Sequence, residues 1–300
     1  VKRVSVLVPT WRTRERTLRC LESVTSQLWP DDELIVVDDA GGDGTDDAIR
    51  LQFPQVQLVV HAANQGWTRA VMTAAALASG AYLLLLNSDA ELRPGALDTM
   101  VSYLRTQPAH AAVAPRMVDR TGATRRELMN LPRCSTPVWH TRLMRRWYGE
   151  STEWKRWHAV DVDHERAGNV EQPPGACLLV RRADWDACGG VDPSMQLFFS
   201  DVELCARLHE RGRLIAYLPD AVVEHAGGAS TSQRTDFAAV WHRDRYAYHS
   251  QRFGLPGALC AWLSSGLDLA AHLVSRATPE PALPLLTTWL AMPWGQRSRA

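Results

Sequence analysis

Residues 81–89 read Ala-Tyr-Leu-Leu-Leu-Leu-Asn-Ser-Asp. Leucines in series with no polar alternation are the pattern of a strand covered on both faces, as in the middle of a parallel sheet. The apolar run stops at Asn87-Ser88-Asp89, which sets a carboxylate at the mouth of that strand. On either side lie further short aliphatic runs at 4–8, 33–37, 56–60 and 111–114, alternating with segments of helical length at 17–28, 45–51, 67–78 and 94–105. Strand, helix, strand in series predicts parallel strands joined by right-handed crossovers. The fold class expected is therefore α/β, a Rossmann-like, mostly parallel sheet flanked by helices.

A sheet of that kind binds ligands beyond the carboxyl ends of its strands. Here the strand ends carry Pro9-Thr10-Trp11, Asp38-Asp39 and Asn87-Ser88-Asp89. Each group alone suits a turn, but together at one sheet edge they predict a shared site. Asp89 is the natural metal ligand, because Mg2+ and Mn2+ prefer oxygen donors and recruit substrate phosphates to complete their shell. A rival acidic pair, Asp161 and Asp163 between His158 and His164, follows no apolar strand and reads as a loop.

Composition narrows the function classes. The chain has 300 residues, 46% of them hydrophobic, and its 33 basic residues balance its 33 acidic ones. No global field gathers a polyanion, so no nucleic-acid partner is expected. The 6 cysteines have no zinc-type spacing, which points to reduced thiols in a reducing compartment. No export signal is legible at the N-terminus and the longest uncharged stretches fall short of ~20 residues. A cytoplasmic location follows as an expectation, with peripheral membrane contact and homo-oligomerisation left open.

The regular texture breaks between 116 and 172. Residues 116–158 hold ten basic residues against four acidic ones, interleaved with Trp139, Trp147, Trp154 and Trp157. This is either a solvated insertion or a surface for an acidic acceptor or membrane. Texture returns with a strand at 176–180, a Gly189-Gly190 turn, a helix at 201–211 and strands at 214–218 and 222–225. Further on, Leu259, Leu263, Leu267, Ala270 and Val274 recur on one helical face, with Ser264, Asp268 and His272 off it. The commoner reason for such a stripe is docking on the domain, and the rarer one is an interfacial helix.

The motif order as a whole resembles inverting glycosyltransferase family 2, the GT-A fold, and within it the rhamnosyltransferase-like branch. The resemblance rests on Val4-Ser5-Val6-Leu7-Val8-Pro9-Thr10, Val37-Asp38-Asp39-Ala40-Gly41-Gly42-Asp43-Gly44-Thr45, Asn87-Ser88-Asp89, Gly189-Gly190-Val191-Asp192, Ser200-Asp201-Val202-Glu203 and His225-Ala226-Gly227-Gly228-Ala229-Ser230. It implies a GT-A domain over 1–230, with a nucleotide-binding half at 1–115, an acceptor-side insertion at 116–172 and a catalytic half at 173–230, followed by a helical extension at 231–300. It implies a metal, Mg2+ or Mn2+, on Asp89 with His225. Pro9, Thr10, Asp38 and Asn87 match the nucleotide site. Asp201 matches the catalytic base, with Glu203 as the second catalytic acid.

Four positions depart from the family pattern: Ser200 where an acid is usual, Glu203 where the shorter Asp is usual, Met72 where Asn is common, and Val191 in place of Phe. The signature of processive relatives is absent, which favours single addition. The function expected is transfer of a sugar from a UDP- or dTDP-linked donor to the hydroxyl of an unidentified acceptor, whether glycan, lipid-linked or small molecule. Two other classes stay on the table. A non-catalytic sugar-nucleotide or glycan binder needs no base, and a sugar nucleotidyltransferase needs a glycine-rich loop after its first strand, where this chain has Pro9-Thr10-Trp11-Arg12.

Overall fold

The computed structural model describes residues 3–227, 235–275 and 282–292. In its first half, strands β1 (Val4–Thr10), β2 (Glu33–Asp38), β3 (Gln57–Val60) and β4 (Tyr82–Leu86) alternate with helices α1 (Arg14–Thr25), α2 (Thr45–Gln52) and α3 (Trp67–Leu77). Next come β5 (Ala90–Leu92), α4 (Ala96–Thr106) and β6 (His110–Val118). The insertion carries three short helices, α5 (Thr136–Trp139), α6 (Arg142–Tyr148) and α7 (Thr152–Trp157), and a two-residue strand β7 (Gly168–Asn169). The chain then forms β8 (Cys177–Arg181), α8 (Arg182–Cys188), α9 (Ser200–Glu210), β9 (Leu214–His225), α10 (Phe237–Ser275) and α11 (Ala282–Ala291).

These strands form one 9-stranded sheet in the order β3-β2-β1-β4-β8-β6-β9-β5, with β7 paired to β9. Strands β1, β2, β3, β4, β6 and β9 run one way, and β5, β7 and β8 run the other. The leucine run behaves as its pattern demands. Leu84 and Leu86 enter the core beneath α1 and α4, while Leu83 and Leu85 enter the core beneath α3, α8 and α9. Successive side chains of a strand point to opposite faces, so a strand apolar at every position can sit only between two layers.

Two readings differ from the observed elements for local reasons. The runs at 214–218 and 222–225 are one strand, β9, because a register jump from Pro115↔Leu218 to Arg116↔Val222 absorbs Pro219-Asp220-Ala221 as a bulge. Strands β5 and β7 span three and two residues, too short for any period to show.

The C-terminal helix overturns the docking expectation. Helix α10 breaks at Gly254 (φ 60, ψ −146), and Pro256 stands in the first turn of its second half, where proline is tolerated. In that half Ser264 and Ser265 are buried, whereas Leu259, Leu263 and Leu267 are 48%, 54% and 38% exposed. The reason is a buried cation. Arg245, 2% exposed, donates to Ser265 Oγ at 3.0 Å and lies 3.8 Å from Asp268. A buried charge must be paired, so the helix turns its polar side inward and these three leucines outward. The side chains of His272 and Val274, the loop residues Gly228, Ala229 and Ser230, and 293–296 lie outside the described residues.

Candidate active site

The short strand β5 builds the core of the site. It pairs antiparallel with the end of β9, Ala90 opposite His225, and the Ala226 N–H donates to the Asp89 carbonyl at 3.2 Å. This register brings His225 Nε2 to 3.4 Å from Asp89 Oδ1. The other ring nitrogen, Nδ1, lies 3.4 Å from Glu127 Oε2, and Arg125 Nε donates to Glu127 Oε1 at 2.5 Å. Burial lowers the basicity of His225, but hydrogen bonds to Asp89 and Glu127 outweigh it and push its pKa up to about 9. Burial likewise opposes charge on Glu127, yet His225 and Arg125 hold its carboxyl below the usual range. Glu127 was missed in the sequence because it sits in the irregular insertion, 98 positions from its partner.

A divalent ion fits this donor set. Asp89 offers carboxylate oxygens, and His225 would offer Nε2 by giving up the proton that its raised pKa retains, with Glu127 then accepting from Nδ1–H, an arrangement common behind metal-bound imidazole. Among the described residues no group of three or more His, Cys, Asp or Glu is arranged to hold a metal. Two protein ligands suit an ion that completes its shell with substrate phosphates and water. The rival acids do not gather: Asp161 and Asp163 are exposed, and Asp163 pairs with Arg166 at 3.4 Å.

A narrow cleft at the ends of β1, β2 and β4 is lined by Pro9, Thr10, Asp39, Asn87, Asp89 and His225. Thr10 Oγ1 lies 3.1 Å from Thr13 Oγ1 and 2.7 Å from Thr17 Oγ1, and Thr13 continues to Ser88 Oγ at 2.9 Å. This chain of buried hydroxyls ties the β1 end to the Asn87-Ser88-Asp89 turn. Asn87 Oδ1 accepts from Trp67 Nε1 at 2.8 Å.

Asp38 and Asp39 divide their work. Asp38, 2% exposed, accepts from the Gly41 N–H at 2.8 Å and shapes the turn after β2. Asp39 lines the cleft and accepts from the Gln65 and Gly66 N–H groups at 2.9 and 2.7 Å, with His61 Nδ1 at 2.7 Å. Burial raises the Asp38 pKa against the pull of Gly41, with Asp46, Asp43 and Asp39 adding to the rise. The Asp39 side chain thus anchors the loop that walls the cleft; the sequence reading gave it no role and assigned the nucleotide to Asp38, which is not among the residues lining the cleft.

A wider cavity of about 630 Å³ adjoins the cleft, and Asp201 stands in its wall. The insertion forms much of the rest through Glu127, Met129, Trp154, His158 and His164. Asp201 Oδ2 accepts from the Gly175 N–H at 2.8 Å and Oδ1 from the Val202 N–H at 2.9 Å. Burial raises its pKa, with those backbone bonds opposing, and a raised carboxylate is a better base near neutrality. The cleft and the cavity share Trp67, Asn87, Leu197 and His225 in their walls.

The neighbours of Asp201 explain one departure and correct one expectation. Ser200 is fully buried and its Oγ bonds Thr68 Oγ1 at 2.9 Å. An acid at that spot would be a buried charge facing a hydroxyl, so the serine and Thr68 belong together. Glu203, expected as a second catalytic acid, is outside the cavity wall. Arg252 grips both its oxygens, Nη2 to Oε1 and Nε to Oε2, each at 2.9 Å. With its carboxylate committed to that fork, Glu203 pins α10 to α9. Arg207 is structural too, donating to the Cys188 and Gly190 carbonyls and closing the glycine turn.

Backbone strain gathers here. Among the described residues the non-glycine positions with positive φ are Arg12, Ala40, Ala159 and Phe199. Arg12 and Ala40 follow cleft residues, Ala159 lines the cavity, and Phe199 stands two residues before Asp201. Such conformations cost ~1–3 kcal/mol each and persist where a site requires them.

The profile of Glycosyl transferase family 2 matches residues 5–185. An N-acetylglucosaminyl-diphospho-decaprenol L-rhamnosyltransferase of Mycobacterium tuberculosis is 28% identical over 263 residues, covering 82% of this chain and 84% of that protein. The O-antigen biosynthesis protein RfbC of Myxococcus xanthus is 28% identical over 260 residues, covering 80% of this chain but 18% of its own length. Among solved structures, the mannosyltransferase PcManGT from Pyrobaculum calidifontis, in complex with GDP-Man and Mn2+, superposes with TM-score 0.59 at 18% identity, covering 98% of this chain and 88% of that one. GalNAc-T7 with UDP, GalNAc and Mn2+ gives 0.57 at 14% identity, covering 94% and 59%. The strand-end residues, the sheet that gathers them and the matched profile agree: this chain is a GT-A glycosyltransferase and belongs to glycosyl transferase family 2.

Proposed function

We propose that the chain adds one sugar, with inversion, from a UDP- or dTDP-linked donor to a hydroxyl of a lipid-linked glycan at a membrane surface. The observation that carries this reading is the shared wall. Trp67, Asn87, Leu197 and His225 border both a phosphate-sized cleft ending on Asp89 and a roomy cavity ending on Asp201. A transferase needs two compartments that meet at the reacting carbon, and a binder needs one. The lipid-linked acceptor is suggested by the mycobacterial relative, whose name records a diphospho-decaprenol acceptor.

In this reading residues 1–115 hold the donor, 116–172 wall the acceptor and 173–230 supply the base. Pro9, Thr10, Asp38 and Asn87 shape the nucleotide side, with Asp39 fixing the loop above it. Asp89 and His225 would hold Mg2+ or Mn2+, which when bound neutralises the charge on the diphosphate. Asp201 takes the proton from the acceptor hydroxyl as that oxygen bonds to the anomeric carbon. The bond from that carbon to the diphosphate oxygen breaks, and its electron pair leaves with the diphosphate. Gly175 holds Oδ2 of the base and the buried Ser200–Thr68 pair holds the start of its helix. The second reading, a binder, rests on the serine at 200 alone.

A thermal-shift screen of UDP, dTDP and GDP, each with and without Mn2+, tests the proposal. Saturation at about 100 times Kd adds ~2.7 kcal/mol of stability, so UDP or dTDP with Mn2+ is expected to raise Tm and Asp89→Ala to abolish the metal-dependent part. Preference for GDP, or metal dependence that survives Asp89→Ala, contradicts it.

A further inference from the structure

The second half of α10 is built inside out. From Leu255 to Ala270 its outward face carries Leu255 (72% exposed), Leu259 (48%), Leu263 (54%) and Leu267 (38%) with no charged residue among them. Its inward face is small or polar, Gly257, Ala258, Ala261, Ser264 and Ser265, until Leu269 packs with Ala239 and Leu285 at its end. Helix α11 carries exposed leucines of its own, Leu286 (39%) and Leu290 (55%). The two helices are locked as a hairpin by Trp262 and Trp289, stacked at 4.7 Å, each indole N–H donating to the other's backbone carbonyl at 3.2 and 3.0 Å. The orientation is fixed from within, because Asp268 accepts from the Arg142 N–H at 3.2 Å and faces the buried Arg245. A contiguous leucine face in water costs free energy and marks a surface built for an apolar medium or partner.

The neighbouring helix says which medium. The Arg142 contact seats α6 against α10 at Asp268, one residue along from Leu267, and α6 presents exposed Arg145, Arg146, Trp147 (69%) and Tyr148 (63%). Among the described residues neither Arg145 nor Arg146 has a carboxylate ion-pair partner, whereas Arg116, Arg125, Arg133 and Arg156 of the same insertion do. Leucines beside tryptophan, tyrosine and uncompensated arginine are the composition of an interfacial helix on an anionic bilayer. Among the described residues no helix is long and apolar enough to cross a membrane, so this face would lie on the surface. The patch also leads inward: the Arg145 guanidinium lies 5.6 Å from the centre of the Trp154 ring, and Trp154 lines the cavity that holds Asp201.

We infer that the leucine face of α10 and α11, with α6 beside it, seats the enzyme on an anionic lipid surface and turns the acceptor cavity toward it. This rests on the lipid-linked acceptor proposed above. The test is co-sedimentation of the full chain with vesicles of phosphatidylcholine alone or with 30% phosphatidylglycerol, at low and high salt. The parent is expected to bind the anionic vesicles and to release with salt. Joint replacement Leu259→Ser, Leu263→Ser and Leu267→Ser should weaken binding to both vesicles by roughly tenfold or more. Arg145→Gln with Arg146→Gln should remove only the anionic preference, about fivefold per arginine. Both variants should keep parental Tm and parental stabilisation by the nucleoside diphosphate, since these positions lie on the surface and outside the donor cleft. Parent binding to neither vesicle overturns the inference. So does a sedimentation-equilibrium dimer that the serine variant converts to monomer. Vesicle binding with no nucleotide response would instead defeat the donor reading and leave the surface standing.

Discussion

Gly175→Ala is the substitution whose outcome the structure fixes most closely. Gly175 has no left-handed backbone, so alanine fits its main chain. The added methyl would lie 2.9 Å from Asp201 Cβ, 3.1 Å from Oδ2 and 3.3 Å from Cγ. Carbon atoms rest about 3.5–4.0 Å apart, so the aspartate must retreat by roughly 0.6–1.1 Å. Overpacking of this order costs ~1–3 kcal/mol of stability, which the protein survives. Misplacing a reacting group by about 1 Å costs ~10²-fold in rate, so turnover should fall by about 10- to 100-fold. Donor KM and nucleoside diphosphate affinity should hold, because Gly175 lies on the cavity side. Steady-state kinetics on the parent, the alanine variant, Asp201→Asn and the double variant measure this. If the methyl acts only through Asp201, it costs little more once Asp201 is already asparagine. Full multiplication of the two losses, or a parental rate for Gly175→Ala, would show that the methyl does not act through Asp201.

The other predictions concern the groups around that centre. Glu127→Gln keeps its shape but weakens its hold on His225 Nδ1, so Mn2+ affinity, read by titration against nucleotide-dependent stabilisation, should drop by about 10- to 100-fold; unchanged affinity would show that Glu127 does not orient His225. Glu203→Gln should lower stability by ~1–3 kcal/mol, as a charge-assisted fork to Arg252 is loosened, with turnover within a few-fold of parent; a collapse of turnover at parental Tm would return Glu203 to the chemistry. Burial raises the Asp201 pKa above its ordinary 3.8, and the base works only when ionised. Activity is therefore present above that raised value and lost as pH falls through it, so the acid limb of kcat/KM should lie above the normal carboxylate position and disappear in Asp201→Asn.

Much of this architecture was legible because its signals are local. The leucine run before Asn87 could only be a strand covered on both sides, and four further strands and their helices alternate at readable length. The motif residues at the strand ends converge because the sheet order forces them to. What escaped the sequence depends on partners far along the chain. The Ala90↔His225 register that joins Asp89 to His225 comes from a three-residue strand. Glu127 reaches His225 from a segment without periodicity, and the exclusion of Glu203 from the cavity depends on Arg252, 49 residues away. The leucine stripe of α10 was read correctly as a stripe but assigned to the wrong side. Periodicity reports that one face differs from the other, and the buried Arg245 decides which of them turns inward.

In the proposed reaction Asp201 acts on the acceptor hydroxyl while Asp89 and His225 serve the donor diphosphate. The most direct measurement is the single-turnover rate of Asp201→Asn at saturating donor, paired with its nucleoside diphosphate Kd in Mn2+. A general base contributes ~10²- to 10⁴-fold, so the rate should fall by that factor while Kd stays within about twofold of parent. A parental rate, or a loss of rate matched by an equal loss of nucleotide affinity, would contradict the assignment of Asp201 as the base.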